Sequence, residues 1–249
     1  MIKIEYTEVV GWEAAIRGMR NPMNSWEKSD SYEVGVDPIS NRIPHVKSTF
    51  QIGPNDLELM KKLRNAGTDH RKFMRMITVY VDITAPLYWW KEFDTYKVGT
   101  VANSCSTMHK IAEKKFTLED FSCENLMDEL DFERTFKTYL ETTIEGLNEA
   151  RDKYLETNDK FYWWQMIQLL PSSYNQKRTV MLNYEVLANI YKSRKNHKLD
   201  EWAAHPYLVI GKEGAPSYNK VTKYKEYFGF CDWIETLPYS ELITGKEEE

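Results

Sequence analysis

The sequence predicts an α+β fold, and three observations indicate this class. Short segments near residues 2–10 and 73–84 alternate apolar and polar side chains, as strands do. Between about residues 117 and 195, apolar side chains recur three and four positions apart, which is the period of a helix. The composition, 42% hydrophobic and 29% charged, is that of an ordinary globular protein. A few strands combined with long helices are typical of α+β proteins.

The N-terminal part of the chain contains clear local signals. It predicts, in order, a strand, a short helix, a long ordered loop and a second helix: residues 2–10, 12–20, 21–53 and 55–66. The loop is rich in Asn, Ser, Pro and Asp, and loops of this length are often functional. Pro54 favours the start of the second helix, and Gly67 favours its end.

From residue 73 onward the signals are mostly helical. The expected elements are a strand, a helix, a loop that runs into a helix, and four further helices: residues 73–84, 85–94, 95–108, 117–158, 159–170, 179–195 and a last helix that begins near Leu199. Pro86 suits a first helical turn, and Thr117 with Asp120 forms a capping-box pattern. We expect a single α+β domain over residues 1–249, with a core of about 55–210 and a helical C-terminal extension of about 211–249.

The net charge of −5 is unevenly distributed along the chain. Residues 111–160 have a net charge of −7, whereas residues 60–75 and 175–198 each have a net charge of +5. Mild overall acidity argues against a binder of duplex nucleic acid. A charge run is most often a solvated face, but two basic segments that converge in the fold could form an anion site.

Several other classes of protein are not supported by the sequence. No apolar run reaches the roughly 18 residues that a membrane span needs, and the N-terminus lacks the pattern of a signal peptide. We therefore expect a cytoplasmic protein. The three cysteines are odd in number and include no C-x-x-C pair, so we expect neither a disulfide framework nor a metal site. Dinucleotide, P-loop, zincin and hydrolase motifs are absent from the sequence.

Three weaker signals leave alternatives open. Cys105 and His109 lie four apart, so on a helix they would share a face and could form a nucleophile pair, although an unrelated pair is the simpler interpretation. The hydroxyl-rich loop around Ser106 could hold a phosphate or simply begin a helix. The 8 Trp, 16 Tyr and 10 Phe indicate either a large core or a pocket for flat rings. Together with the basic segments, they would also suit a binder of single-stranded nucleic acid.

Two segments, residues 63–106 and 170–202, resemble the flavin-dependent thymidylate synthases in order and spacing. That family has an Ala-Pro-started helix followed by an R-H-R-x-x-S motif with an Asn and a Ser, and later a Leu-Pro followed by a helix with an Asn, an Arg, a His and a Glu. The residues here that match are Ala85, Pro86, Asn103, Ser106, Leu170, Pro171, Asn183, Leu187, Asn189, Arg194, His197 and Glu201.

The resemblance implies an α+β fold with a small, mainly antiparallel sheet, a homotetramer, and active sites at subunit interfaces. It also implies FAD as a cofactor, with NADPH and methylenetetrahydrofolate as co-substrates for transfer of a methylene group to C5 of dUMP. The nucleotide-binding candidates that it implies are Arg194, Ser106 and Glu92. The cofactor-binding candidates are Lys97, Thr100, Asn103, Asn183, Asn189, His197 and His70. The aromatic residues beside the proposed site are Tyr88, Trp89, Trp90 and Tyr96.

The sequence departs from the family pattern at several positions. The R-H-R positions read Thr95-Tyr96-Lys97, the motif Ser is Thr100, and an Arg of the later helix is Glu185. The basic residues that could replace the lost charges are Arg71, Lys72, Arg75 and Arg178.

The sequence therefore predicts a divergent member of this family. It would bind a dUMP-like pyrimidine nucleotide, with FAD as a candidate cofactor for methyl transfer at C5. The alternative is a catalytically inactive descendant that keeps the fold as a nucleotide-binding or assembly module.

Overall fold

A computed structural model describes residues 2–33, 50–126, 135–204 and 229–245. The chain divides into two compact units. Unit 1 consists of Thr84–Thr95 and Asn103–Arg178, and unit 2 consists of Ile2–Ile83, Tyr96–Ala102 and the described part of Thr179–Glu249. Within the described ranges, no helix is long and apolar enough to cross a membrane.

The described strands form two sheets, one of four strands and one of two. The strands are β1 (Lys3–Val10), β2 (Tyr32–Glu33), β3 (Phe50–Gln51), β4 (Thr78–Pro86), β5 (Val101–Ser104) and β6 (Asn175–Asn183). The order in the main sheet is β1-β4-β6-β5, and β2 and β3 form a separate antiparallel pair. Strands β4 and β6 are antiparallel, because the Tyr184 N–H donates to the Ile77 carbonyl at one end of the pair (3.1 Å) and the Leu87 N–H donates to the Tyr174 carbonyl at the other (3.0 Å).

Helices follow the strands closely in the sequence. They are α1 (Trp12–Arg20), α2 (Pro54–Asn65), α3 (Leu87–Phe93), α4 (Thr107–Lys110), α5 (Phe136–Thr157), α6 (Lys160–Leu169), α7 (Tyr184–Arg194), α8 (Phe230–Glu235) and α9 (Glu241–Thr244). The side chains of Thr135, Asp159 and Asn183 accept backbone N–H groups at the starts of α5, α6 and α7. Such caps satisfy donors that have no partner within the helix.

Burial in unit 2 follows the strand period. Val79, Val81 and Ile83 alternate along β4 and are almost fully buried, as are Val180 and Leu182 on β6. This alternation is that of strands with one face covered, and it places the core of unit 2 against that face of the sheet.

The core of unit 1 is built largely from the helical hairpin of α5 and α6. Its buried residues are Ile111, Phe116, Phe121, Leu140, Ile144, Leu147, Ala150 and Met166. A second aromatic group lies on α3, where Trp89 packs edge-to-face on Trp90 (4.9 Å between centroids) and stacks on Phe93 (5.3 Å). Trp89 and Trp90 are buried and belong to the core of unit 1, and their position beside a ligand stays a prediction.

A buried ion pair organises the first half of the loop predicted for residues 21–53. Arg20 Nε donates to Asp56 Oδ1 at 2.6 Å, and both side chains are at least 95% buried. Asp56 Oδ2 also accepts from the hydroxyls of Ser29 (2.7 Å) and Ser31 (2.6 Å). Burial raises the pKa of Asp56, but the hydrogen bonds from Ser31, Ser29 and Arg20 outweigh it and hold the pKa below its usual value. Residues 21–33, the described first part of this segment, are therefore ordered around a charge, while residues 34–49 of the predicted loop lie outside the described residues.

The structure confirms the predicted elements near the N-terminus and corrects several later ones. Strand β1 and helices α1, α2 and α6 lie within one residue of the prediction. The helix predicted over 179–195 begins only at Tyr184, because the alternating segment before it pairs with β4. The strand predicted from residue 73 begins at Thr78, after a 3-10 helix over Arg71–Arg75.

Two other helix predictions also fail. The Thr117–Asp120 capping box is present, but it caps the start of a 3-10 helix of three residues. Helix α5 begins at Phe136. Residues 199–204 form turns and bends instead of a helix. Most of the predicted extension over about 211–249 lies outside the described residues.

Replacing Asp56 by Asn should leave Arg20 buried without its counter-charge. We expect the free energy of unfolding at pH 7 to fall by about 3–5 kcal/mol, measured by urea denaturation. Because the folded pKa of Asp56 lies below its unfolded value of about 3.9, its stabilisation is present above that pH and is lost as pH falls through the folded pKa. The gap between wild type and Asp56→Asn should therefore narrow below about pH 4.

Glu58→Gln is a matched control, since Glu58 forms an exposed pair with Lys62 on the same helix. It should change the stability little. An equal loss of stability in both variants would contradict the role assigned to the buried pair.

Candidate functional site

Arg194, the last residue of α7, lies among aromatic side chains in unit 2. Its Nε donates to the Tyr96 hydroxyl at 2.9 Å. Its guanidinium carbon lies 5.6 Å from the centre of the Tyr96 ring and 5.1 Å from that of Trp202. A cation is attracted to the face of an aromatic ring at these distances. We call Tyr96, Arg194, His197 and Trp202 the Arg194 cluster.

A short contact joins His197 to Arg194. Arg194 Nη1 lies 2.8 Å from His197 Nε2, while the Leu199 N–H donates to Nδ1 at 3.1 Å. A neutral imidazole has one acceptor nitrogen, so the ring can accept from only one of these donors at a time. An anion accepts more strongly from a guanidinium than a neutral ring does. The contact with His197 therefore helps to hold the arginine in place.

The loop after α3 reaches α7 through Gly99. The φ angle of Gly99 is +78°, and a Cβ on this residue would lie only 2.9 Å from Asn183 Nδ2 and 3.1 Å from Val186 Cγ2. Thr100 Oγ1 donates to the carbonyl of Tyr96 within the same loop. The structure thereby brings four of the sequence-selected residues of unit 2, Tyr96, Thr100, Asn183 and Arg194, together along α7.

Two cofactor-binding candidates of unit 2 differ in what they do. Asn183 is the N-cap of α7, and its Oδ1 accepts the N–H of Val186 at 3.1 Å. This contact gives it a structural role. Lys97 is exposed in the loop before Gly99. It is the basic residue that remains at the R-H-R positions.

A second group of charged residues lies at the start of α7, and we call it the Glu185 cluster: Arg71, Arg75, Glu185 and Asn189. Glu185 is buried and accepts from Arg71 Nε at 3.3 Å and from Arg75 Nε. Arg71 Nη2 also donates to Asn189 Oδ1 at 3.3 Å. Burial raises the pKa of Glu185, but the hydrogen bonds and charges of Arg75 and Arg71 outweigh it, so the pKa lies below its usual value.

His70 directly precedes the 3-10 helix that carries the two arginines. Its side chain is exposed, and its N–H donates to the carbonyl of Gly67 at 3.1 Å. The structure thus places His70 next in the chain to Arg71, which contacts Asn189.

The remaining candidates belong to unit 1. Ser106 is the N-cap of α4, where its Oγ accepts the N–H of His109 at 3.1 Å. Asn103 is exposed on β5. Glu92 is half-buried on α3, and its carbonyl accepts from Thr95 Oγ1 at 2.7 Å. Of the two interpretations of the Ser106 loop, the structure therefore shows the helix start.

The cysteine hypothesis loses its geometric basis. Helix α4 begins at Thr107, so Cys105 lies outside it and shares no helix face with His109. The backbone of Cys105 instead pairs with Lys177, whose carbonyl accepts its N–H at 2.9 Å.

Arg178 is engaged within unit 1. Its Nη1 donates to Asp94 Oδ1 at 2.7 Å, and its Nε donates to Gln176 Oε1 at 3.0 Å. Its guanidinium carbon lies 4.2 Å from the centre of the Trp90 ring.

The sequence analysis missed Trp202 as a member of the site. Trp202 is fully buried beside Arg194. The sequence signal that could have identified Trp202 was an aromatic residue eight positions after Arg194. In the described parts of the chain, no group of three or more metal-ligating side chains is found.

Two surface pockets lie elsewhere. One, of about 400 Å³, is lined by α1 and the β2–β3 pair of unit 2. The other, of about 450 Å³, is lined by α4, the end of α5 and the start of α6 in unit 1. Neither lining includes a residue of the Arg194 cluster.

The fold is that of the flavin-dependent thymidylate synthases. A crystal structure of thymidylate synthase X from Helicobacter pylori with FAD and dUMP matches with a TM-score of 0.56 and 13% identity, over 98% of this chain and 97% of that chain. A second structure of that enzyme complexed with FAD and dUMP matches with a TM-score of 0.57 and 14% identity, over 97% of each chain. A UMP/dUMP methylase, PolB from Streptomyces cacaoi, bound with 5-Br dUMP, matches with a TM-score of 0.52 and 14% identity, over 83% of each chain.

The sequence itself matches no family model and no curated protein. The structural matches therefore confirm the predicted α+β class and the predicted resemblance at the level of the fold.

Asn183→Ala should remove the cap of α7. We expect the free energy of unfolding to fall by about 1 kcal/mol, because the Val186 N–H loses its acceptor. Asn183→Ser keeps an oxygen at the cap and should retain most of the stability. Chemical denaturation of both variants measures the effect, and equal stability of the two would show that Asn183 is not a structural cap.

Proposed function

We propose that the protein binds a pyrimidine nucleoside monophosphate of the dUMP type through the Arg194 cluster. The observation that carries this proposal is the position of Arg194 between Tyr96 and Trp202, in a chain with the fold of proteins solved with dUMP or 5-Br dUMP. Arg194 would contact the phosphate or the uracil of the nucleotide.

The chemistry of the Arg194 cluster supports an anionic ligand with a flat ring. A guanidinium presents a planar fork of donors that matches phosphate oxygens. Tyr96 is half-buried, so part of its ring is available to a pyrimidine. Trp202 is buried, and its ring packs against the arginine. Ser106 and Glu92 belong to unit 1 and stay predictions from the resemblance alone.

The described residues do not fit the diphosphate of FAD. The R-H-R positions keep one basic residue, Lys97. Arg71 and Arg75 are paired with Glu185, and Arg178 is paired with an aspartate. Identical subunits would contribute the same side chains to an interface. We therefore derive no step through a flavin.

A second candidate function is methyl transfer to pyrimidine C5, with FAD as cofactor and with NADPH and methylenetetrahydrofolate as co-substrates. It requires that the FAD diphosphate be held by residues other than Lys97, Arg71, Arg75 and Arg178. The fold match to structures solved with FAD and dUMP favours it. The discriminating observation is colour. Purified protein that is yellow, or that binds FAD at micromolar concentration, supports the enzyme. Colourless protein that binds a nucleotide supports the nucleotide-binding module.

We also propose a homotetramer, in keeping with the resemblance. Helices α5 and α6 of unit 1 expose large apolar side chains: Phe136, Tyr139, Leu155, Phe161, Trp164 and Leu169. Such surfaces often mark sites of protein association. Light scattering should then give a mass about four times that of the 29.5 kDa chain.

Arg194→Gln should weaken binding of dUMP or UMP by about ten- to hundred-fold. A charge-assisted hydrogen bond to the nucleotide is worth roughly 1.5–3 kcal/mol, and each 1.4 kcal/mol corresponds to a factor of about ten. Isothermal titration calorimetry of the folded protein measures the dissociation constant.

Lys192→Gln is the matched control, because it removes the same charge from an exposed position on the same helix. It should leave nucleotide affinity within a factor of about two to three. The proposal fails if the wild-type protein binds neither dUMP nor UMP, or if both variants bind equally well.

A further inference from the structure

The Glu185 cluster has the composition of an anion site. The two oxygens of the Glu185 carboxylate accept from two different arginines, Oε1 from Arg71 and Oε2 from Arg75. Phosphate-binding sites in proteins use the same donors, because several guanidinium groups around one point can hold phosphate oxygens. Here the acceptor is part of the chain.

The surrounding charges show that positive charge is concentrated at this point. Burial and the neighbouring charge of Arg71 lower the pKa of Arg64, so these two guanidinium groups repel each other. Arg64 is itself anchored by the carbonyls of Leu242 (3.2 Å) and Ile243 (3.1 Å). Asp69 adds a favourable charge near Arg75. Arg71 thus has a second cation beside it, and the Glu185 carboxylate offsets their repulsion.

The position of Glu185 in α7 adds to this need. Glu185 is the second residue of the helix, where the helix dipole favours negative charge. Its side chain is 8% exposed, so anions from the solvent have little access to the position that the carboxylate occupies. Arg71 is 19% exposed and is fixed by Asn189 as well.

We propose that Glu185 is a built-in anion that closes an arginine site to phosphate ligands, and that removing its charge opens the site to a diphosphate. The ligand class is a diphosphate group, whether free as inorganic pyrophosphate or carried by a dinucleotide. In the wild-type protein, Arg71 and Arg75 serve the fold instead of a ligand.

The test is titration of the folded, full-length chain with inorganic pyrophosphate, followed by calorimetry and by thermal unfolding. Wild type should show no saturable binding up to millimolar pyrophosphate. Glu185→Gln should bind at least tenfold more tightly than wild type, and pyrophosphate should raise the unfolding temperature of the variant alone. The double variant Glu185→Gln with Arg71→Gln should lose the gain.

Glu241→Gln is the matched control. Glu241 pairs with Lys61 at 3.5 Å in the same unit, so the substitution removes one negative charge without releasing an arginine. It should gain no affinity for pyrophosphate. A gain equal to that of Glu185→Gln would show a general charge effect and overturn the proposal.

Glu185→Ser provides a second route if Glu185→Gln folds poorly, since its smaller side chain leaves more room for a ligand. A pyrophosphate-dependent recovery of folded protein in either variant supports the proposal. Two outcomes overturn it. In the first, a folded Glu185 variant does not gain affinity for pyrophosphate. In the second, both variants fold poorly and pyrophosphate does not restore folded protein in either. Saturable binding to wild type that Arg71→Gln abolishes would also overturn it. These results do not depend on nucleotide binding at Arg194, which uses a different ligand and a different variant.

Discussion

The antiparallel pairing of β4 with β6 sets the positions on which the candidate site depends. Each strand passes directly into a helix, β4 into α3 at Leu87 and β6 into α7 at Tyr184. Backbone hydrogen bonds at both ends of the pair fix its register. Because α7 begins where β6 ends, the end of this pairing places Glu185 in the first turn of α7.

Local signals were sufficient for part of the fold. Pro54 and Gly67 mark the limits of α2 correctly, because the rules for helix ends act within a few residues. Strand β6 was missed because its alternation is short and is interrupted by basic side chains. Strand β5 was missed because its four residues are all exposed and leave no pattern of burial. Both strands exist through pairing with distant segments, which overrides local propensity.

The same distinction applies to the candidate site. The resemblance selected Arg194, and the order and spacing of its neighbours supported that selection. The partners of Glu185 are 110 and 114 residues away in sequence, so no local pattern could reveal them. Arg71 and Arg75 of one basic segment meet Glu185, the acidic residue of the other, so the anion between these arginines belongs to the protein.

Gly99 shows how the sequence of a loop can change while its position is kept. The loop touches α7 through a residue with no side chain and a positive φ angle, so its place is fixed by the backbone. The side chains at Thr95, Tyr96 and Lys97 therefore do not have to be arginine or histidine for Tyr96 to arrive beside Arg194. A contact of this kind leaves the charges of the loop free to differ while the backbone keeps its place beside α7.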